Sequence, residues 1–206
     1  SFAALRDARQ RGLAVTGETC PHYWTLTDEA VTGWGTDAKM NPPLRSERDR
    51  LATLEAIADG TIDCLATDHA PHTEEDKRQP FEMAPFGIVG LETALALTLT
   101  GLVRPGHLPL ARALELWTEA PRRVFDLPEV RLAGGFPADL TLIDPDAEWT
   151  VDPAAFHSKG RSTPFAGMRL TGRVLATFCD GEITHLDPVV KLMGTGTPPV
   201  GVEAAR

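Results

Sequence analysis

The sequence predicts an α/β fold. Helix and strand patterns alternate over residues 1–127, polar chemistry-bearing residues follow each of the two apolar strands directly, and the texture turns β-rich over residues 132–187. Strands alternating with helices imply a parallel sheet with active groups at the C-terminal strand ends. Only two strand–helix steps can be read, whereas a closed βα barrel needs eight. A two-stranded parallel sheet is not a self-sufficient fold. Residue 1 is serine and the first methionine is Met40, so the chain is read as a fragment.

Residues 1–12 read as a helix with Phe2, Leu5 and Ala8 on one face and Gly12 as its stop. Residues 13–20 read as a strand, and a loop-like stretch rich in Gly, Thr and Asp follows to Arg45. Ser46 is placed to cap a helix with the stripe Leu51, Leu54, Ile57 and Ala58, closed by Gly60. Residues 62–67 form the second apolar strand, and residues 73–80 a polar loop. Leu91, Leu95 and Leu99 recur at i, i+4 and i+8, which predicts a helix over 88–100; further helices are read over 110–117 and 121–125. Beyond Gly134 and Gly135, strands are read over 138–143, 168–178 and 182–185, the last two joined by Asp180-Gly181. The expected organisation is strand–helix units over 1–131, β-rich strands over 132–187 and a flexible tail over 188–206.

Composition excludes several classes. The chain is 42% hydrophobic and 24% charged, enough to build a core, which rules out disorder as its main state. A formal charge of −9 opposes binding to nucleic acid or to an anionic membrane, both of which need a cationic face. No apolar run reaches the ~18 residues of a membrane span. Residues 1–10 lack the apolar core of a signal peptide. Cys20, Cys64 and Cys179 are widely spaced with no CxxC pair, so a reducing, cytoplasmic setting is expected rather than a disulfide framework.

The sharpest cluster is Thr67-Asp68-His69-Ala70-Pro71-His72, directly after the second strand. An aspartate at a strand's C-terminal end followed by two histidines can ligate a hard or borderline metal and move protons beside it. The same aspartate could instead brace a loop beside solvated histidines. Three companions weigh on the choice: Glu18-Thr19-Cys20-Pro21-His22-Tyr23 after the first strand, Lys39-Met40-Asn41-Pro42-Pro43-Leu44-Arg45, and Ala84-Pro85-Phe86-Gly87-Ile88.

Together these stretches resemble dihydroorotase of the longer bacterial type, within the amidohydrolase superfamily. The resemblance runs from the first helix to about Gly181, and Ser158-Lys159 and Ser162-Thr163-Pro164-Phe165-Ala166-Gly167 resemble the family's C-terminal segment. It implies the C-terminal portion of a TIM-like (β/α)8 barrel plus strands of a small β-sandwich. The implied reaction interconverts N-carbamoyl-L-aspartate and L-dihydroorotate in pyrimidine synthesis, with two zinc ions holding a hydroxide that attacks the ring amide. Asp68 matches the family's metal-binding aspartate and general acid/base. Asn41 and His72 match substrate-binding residues, and Phe86 and Gly87 match positions whose backbone meets the ring.

The family's His-x-His pair, bridging carboxylate and further histidine ligands have no counterpart here, so the chain by itself is expected to be inactive. The implied partners are a small-molecule substrate, a second copy in a homodimer, or an aspartate transcarbamoylase complex. Two alternatives remain: a non-catalytic dihydroorotase-like subunit that scaffolds that complex, and another cyclic-amide hydrolase such as an allantoinase or hydantoinase. His22 is read as a brace or packing residue, since the matching family histidine is not among the usual metal ligands. His69 is read as pointing into the barrel wall. The run Glu74, Glu75, Asp76, Lys77, Arg78 is read as a solvated face or an active-site lid.

Overall fold

The computed structural model describes residues 2–193. Helix α1 (Phe2–Gln10) is pinned through its arginines: Arg6 Nε donates to Thr61 Oγ1 at 2.9 Å, and Arg9 pairs with Asp63. Asp63 also accepts from Gly17 N at 2.7 Å, so it ties α1 to the entrance of both strands. Strands β1 (Glu18–Thr19) and β2 (Cys64–Leu65) pair in parallel, Glu18 opposite Cys64 and Thr19 opposite Leu65. Both are narrower than the apolar runs predict. In this two-stranded sheet each has a single ladder partner, and on the other side of β2 the Leu65 N–H is taken by the Leu116 carbonyl at 3.0 Å.

The stretch read as loop to Arg45 holds α2 (Pro21–Thr25), α3 (Ala30–Trp34) and a 3-10 turn (Gly35–Ala38). Such short turns end before a 3.6-residue repeat can show itself. Pro21 at the first position of α2 suits a helix start, where no N–H is needed. Helix α4 (Glu47–Ala58) follows Ser46 as read, but the hydroxyl does not cap the backbone. It donates to Asp49 Oδ2 at 2.6 Å.

The polar stretch 73–80 contains α5 (Glu74–Lys77), started by Thr73 Oγ1 accepting from Asp76 N. The helix read over 88–100 is corrected. Ile88 bridges His69 in parallel, and the Val89 N–H goes to the Ser162 carbonyl at 2.9 Å, so this backbone is committed to extended pairing. Helix α6 therefore starts late (Ala94–Thr98) and widens into a π turn over Leu99–Val103. The leucine stripe is broken accordingly: Leu91 is 60% exposed and Leu99 1%. Helices α7 (Leu110–Glu115) and α8 (Glu119–Val124) complete the first part.

Strands β3 (Leu140–Thr150), β4 (Arg169–Cys179) and β5 (Glu182–Leu186) form an antiparallel sheet in sequence order. The β4–β5 turn has positive φ at both Asp180 and Gly181, the twist a tight hairpin requires. Two cores result. One gathers Trp24, Ile57, Ile62, Leu102 and Leu116. The other joins Met40, Ile88 and Leu97 to Phe165 and Leu170, so the β-rich part packs directly on the strand–helix part. Of the stretch read as a flexible tail, Pro188–Met193 forms helix α9, its start held by Val189 N donating to the buried Asp187. Residues 194–206 lie outside the described residues. No helix among the described residues is long and apolar enough to cross a membrane.

The broken stripe makes a testable contrast. Leu99→Ala should lose ~2–5 kcal/mol of unfolding free energy, the cost of a buried leucine truncation. Leu91→Ala should stay within about 0.5 kcal/mol. Urea denaturation of the two variants checks both.

Candidate active site

Parallel pairing puts the C-terminal ends of β1 and β2 on one side, so the residues that follow them converge. Cys20, His22 and Asp68 bring a sulfur, a nitrogen and an oxygen within 4.8 Å of one another. His22 is 1% exposed, and its Nε2 stands 3.6 Å from Asp68 Oδ2 with no hydrogen-bond partner. An unsatisfied buried nitrogen is costly, and such an atom marks either strain or a missing ligand. Burial pushes the His22 imidazole down to about 4 and the Cys20 thiol up to about 12, so at neutral pH both are uncharged. Burial also raises the Asp68 carboxyl above its ordinary value.

Asp68 lies in the left-handed region at φ 50. Aspartate visits that region more readily than most side chains, but it needs support from its surroundings. The support comes from both sides of the turn. Beyond it, Ala70 N donates to the Ile88 carbonyl at 2.8 Å, and His69 Nδ1 accepts from Gly90 N at 3.1 Å. His69 is thus a loop brace, and its accepting Nδ1 places the proton of the neutral ring on Nε2.

Three further sequence candidates meet at the next turn. His72 Nε2 lies 2.8 Å from the Phe86 carbonyl and must donate to it, which leaves Nδ1 for a ligand. Gly87 has φ 130, and a Cβ there would stand 2.7 Å from both the Ala70 carbonyl oxygen and its methyl, so glycine is required. The Gly87 N–H donates to the Lys39 carbonyl at 2.9 Å, two residues from Asn41. Asn41 is exposed and precedes a cis bond to Pro42, whose carbonyl accepts from Tyr23 Oη at 2.7 Å. Asn41, His72, Phe86 and Gly87 are therefore tied into one loop cluster, while Asp68 sits at the strand end beside His22. Of the Phe86–Gly87 backbone pair, the Phe86 N–H is the group left without a partner among the described residues.

Sequence reasoning missed two lysines. Lys39 is 7% exposed, and its ammonium donates to the Phe81 and Ala84 carbonyls, both at 2.6 Å, while lying over the Phe86 ring at 4.6 Å. Lys77 is 5% exposed and donates to the Gly87 carbonyl at 2.9 Å and to Pro85 at 3.2 Å. The charge run therefore is not wholly a solvated face, because its lysine turns inward. Burial pushes Lys77 below the ordinary lysine value; Asp37 opposes the shift and Lys39 adds to it. A usable signal was the position of Lys39 between apolar Ala38 and Met40.

Asp68, His22 and the Gly87 loop thus gather at the C-terminal ends of parallel strands, where α/β-barrel enzymes carry their active groups. The chain belongs to the amidohydrolase family, whose model matches residues 3–184. It is 51% identical over 191 residues to a dihydroorotase from Pelotomaculum thermopropionicum, covering 93% of this chain and 45% of that protein. A dihydroorotase from Anaeromyxobacter dehalogenans is 54% identical over 184 residues, 88% of this chain and 42% of the relative. The chain thus spans under half the length of these relatives. Among solved structures, an L-hydantoinase (dihydropyrimidinase) from Arthrobacter aurescens superposes with a TM-score of 0.83 at 33% identity, over 90% of this chain and 42% of that one. An inactive dihydroorotase-like domain of a Chaetomium thermophilum CAD-like multifunctional protein shares the fold, with a TM-score of 0.66 at 22% identity over 90% of this chain and 48% of that one.

Gly87→Ala should cost at least ~1 kcal/mol, since alanine at this φ is strained before any clash is counted. A crystal structure of the variant should show the His72–Phe86 hydrogen bond broken, and denaturation should show the lower stability.

Proposed function

We propose that this chain carries the acid–base aspartate and part of the substrate pocket of a dihydroorotase, which interconverts L-dihydroorotate and N-carbamoyl-L-aspartate in pyrimidine synthesis. The observation that carries the reading is Asp68, held in a left-handed turn at the mouth of the parallel strands, on the loop that also bears His72. On this reading the chain is the C-terminal portion of a (β/α)8 barrel, and β3–β5 contribute to a small β-sandwich beside it.

The donors present suit a borderline divalent ion such as zinc: a carboxylate and, beside it, an unpartnered imidazole nitrogen. Cys20, held as a neutral thiol, offers no thiolate. Asp68 is assigned as a ligand of a two-zinc centre, with the His22 nitrogen beside it; the family's His-x-His pair, bridging carboxylate and further histidine ligands have no counterpart in this chain. A bound metal would supply the electrophilic pull on the amide carbonyl and the acidity of the attacking water.

This chain's own residues supply the rest. In the hydrolytic direction the Asp68 carboxylate takes a proton from the attacking water and delivers it to the ring nitrogen as the C–N bond breaks. Burial, which raises its pKa, improves its capacity to hold that proton between the two transfers. Asn41 offers both a donor and an acceptor to the ring, and the Phe86 N–H points a further donor role at the same cluster. His72 donates from Nε2 to Phe86 and meets the substrate carboxylate through Nδ1–H in its doubly protonated form, the one with a donor on both nitrogens. A small-molecule substrate follows, and a homodimer or an aspartate transcarbamoylase complex are the assemblies proposed. Reduced, buried Cys20 and Cys64 fit a cytoplasmic setting.

A hydantoinase-like activity is the second reading, supported by the L-hydantoinase superposition. The higher identity to dihydroorotases supports the first. A purely scaffolding role sits poorly with the presence of Asp68, Asn41 and His72 together.

In the complete enzyme, Asp68→Asn should keep the fold by circular dichroism and lower turnover of dihydroorotate at least ~10²-fold, the low end for losing a general acid–base. Near-normal turnover would remove Asp68 from the reaction. Asn41→Ala and His72→Ala should retain zinc at the wild-type stoichiometry while losing about 1.5–3 kcal/mol in kcat/KM, the range for a hydrogen bond to a charged group. Loss of a full zinc equivalent in His72→Ala would make that residue a metal ligand.

A further inference from the structure

The loop cluster is unusual in its charges. Lys39 and Lys77 are both more than nine-tenths buried, and neither forms an ion pair among the described residues. Their ammonium groups rest on the neutral carbonyls of Phe81, Ala84, Pro85 and Gly87. Carbonyl oxygens satisfy an ammonium's hydrogen bonds without cancelling its charge. A cleft of about 390 Å³ opens beside Lys77, lined also by His72, Lys159, Arg161 and Ser162, with Asp37 and Glu74 as its acids, and it meets the proposed substrate cluster at His72. Arg161 likewise donates to carbonyls, those of Pro153 and Phe156. Glu74 is already paired with Arg78, and Asp37 accepts from Ser162. Lys77, Lys159 and Arg161 outnumber the two acids lining this cleft, in a chain of net charge −9, although the Asp37 carboxylate offsets part of the Lys77 charge. Low-dielectric surroundings carry such a field further than open solvent does.

We propose that Lys39 and Lys77 are specificity-determining residues: from behind the Phe81–Gly87 loop they bias the pocket toward a cyclic amide bearing a carboxylate and against a neutral ring of the same shape. The inference rests on the cyclic-amidohydrolase reading and extends it from His72, which touches the substrate, to two groups that act on it without contact. It also separates an anionic dihydropyrimidine from the neutral rings that a hydantoinase-like pocket would take.

The test is a comparison of kcat/KM for L-dihydroorotate and for its neutral carboxamide, in the complete zinc-loaded enzyme and in Lys39→Met and Lys77→Met. Methionine keeps the length of the stem and removes the charge and the donors. The expected result is a fall in the carboxylate-over-carboxamide preference on the order of tenfold per lysine, the scale of a unit charge about 12 Å away at an effective dielectric of about 20. Zinc stoichiometry and thermal melting accompany the kinetics: zinc content should stay close to wild type, while the melting temperature should fall because loop carbonyls lose their donors. Equal loss on the two substrates would overturn the inference, because a purely structural clamp harms both alike. If either variant fails to fold, Lys39→Gln and Lys77→Gln, which remove the charge but keep a donor for the loop carbonyls, carry the same comparison with the same two outcomes. Absence of turnover on both substrates by the wild type would instead overturn the functional reading on which the inference stands.

Discussion

The site hangs on the pairing of the residues after β2 with Ile88. That pairing carries the parallel bridge from His69 to Ile88, the Ala70 N–H on the Ile88 carbonyl and the Gly90 N–H on His69. Each bond contributes only about 0.5–1.5 kcal/mol net. Their consequence is geometric. They hold the chain straight beyond Asp68, so that Asp68 itself absorbs the left-handed turn and His72 arrives beside Phe86. The same bonds take residues 88 and 89 out of reach of a helix, which is why α6 begins only at Ala94.

An irregular loop beside a buried site has a second problem, which is where its carbonyls find donors. Between Phe81 and Gly87 the donors are two lysine ammoniums rather than a neighbouring strand, with His72 serving the Phe86 carbonyl. Lysine offers three donors on a flexible stem and can serve carbonyls that no regular ladder would reach. The same choice that satisfies the loop also loads it with charge, which is the basis of the substrate preference proposed above. Packing reinforces the arrangement from the far side. Phe165 and Leu170 of the β-rich part share a core with Ile88 and Leu97, so the loop's floor and the antiparallel sheet cannot move independently.

Helix–strand alternation and the location of the site were legible because they are written in local patterns. Apolar runs end in polar clusters at Thr19 and at Thr67, and Asp68, His72, Phe86 and Gly87 were all singled out from the sequence. What was not legible depends on partners distant in sequence. Leu91, Leu95 and Leu99 have helical spacing, yet Ile88 and Val89 are claimed by His69 and Ser162, and no local pattern records that claim. The lysine of a five-residue charge run looks solvated until Gly87 is placed beside it. His22 read as a packing residue, and it is deeply buried, but its orphaned Nε2 facing Asp68 is a fact of tertiary structure alone. The convergence of Cys20, His22 and Asp68 likewise required the β1–β2 register.

The central claim is that the end of β2 places the Asp68 carboxylate at a metal and the 39–41, 72 and 86–87 segments around one ring. A crystal structure of the complete zinc-loaded enzyme with a non-hydrolysed dihydroorotate analogue, with zinc located by anomalous scattering, tests it most directly. The account predicts an Asp68 oxygen within ~2.0–2.2 Å of a zinc ion. It also predicts the analogue's carboxylate on His72 Nδ1 and its ring against Asn41 and the Phe86 N–H. A zinc centre away from Asp68, or a ring bound outside the Phe86–Gly87 cluster, would contradict it.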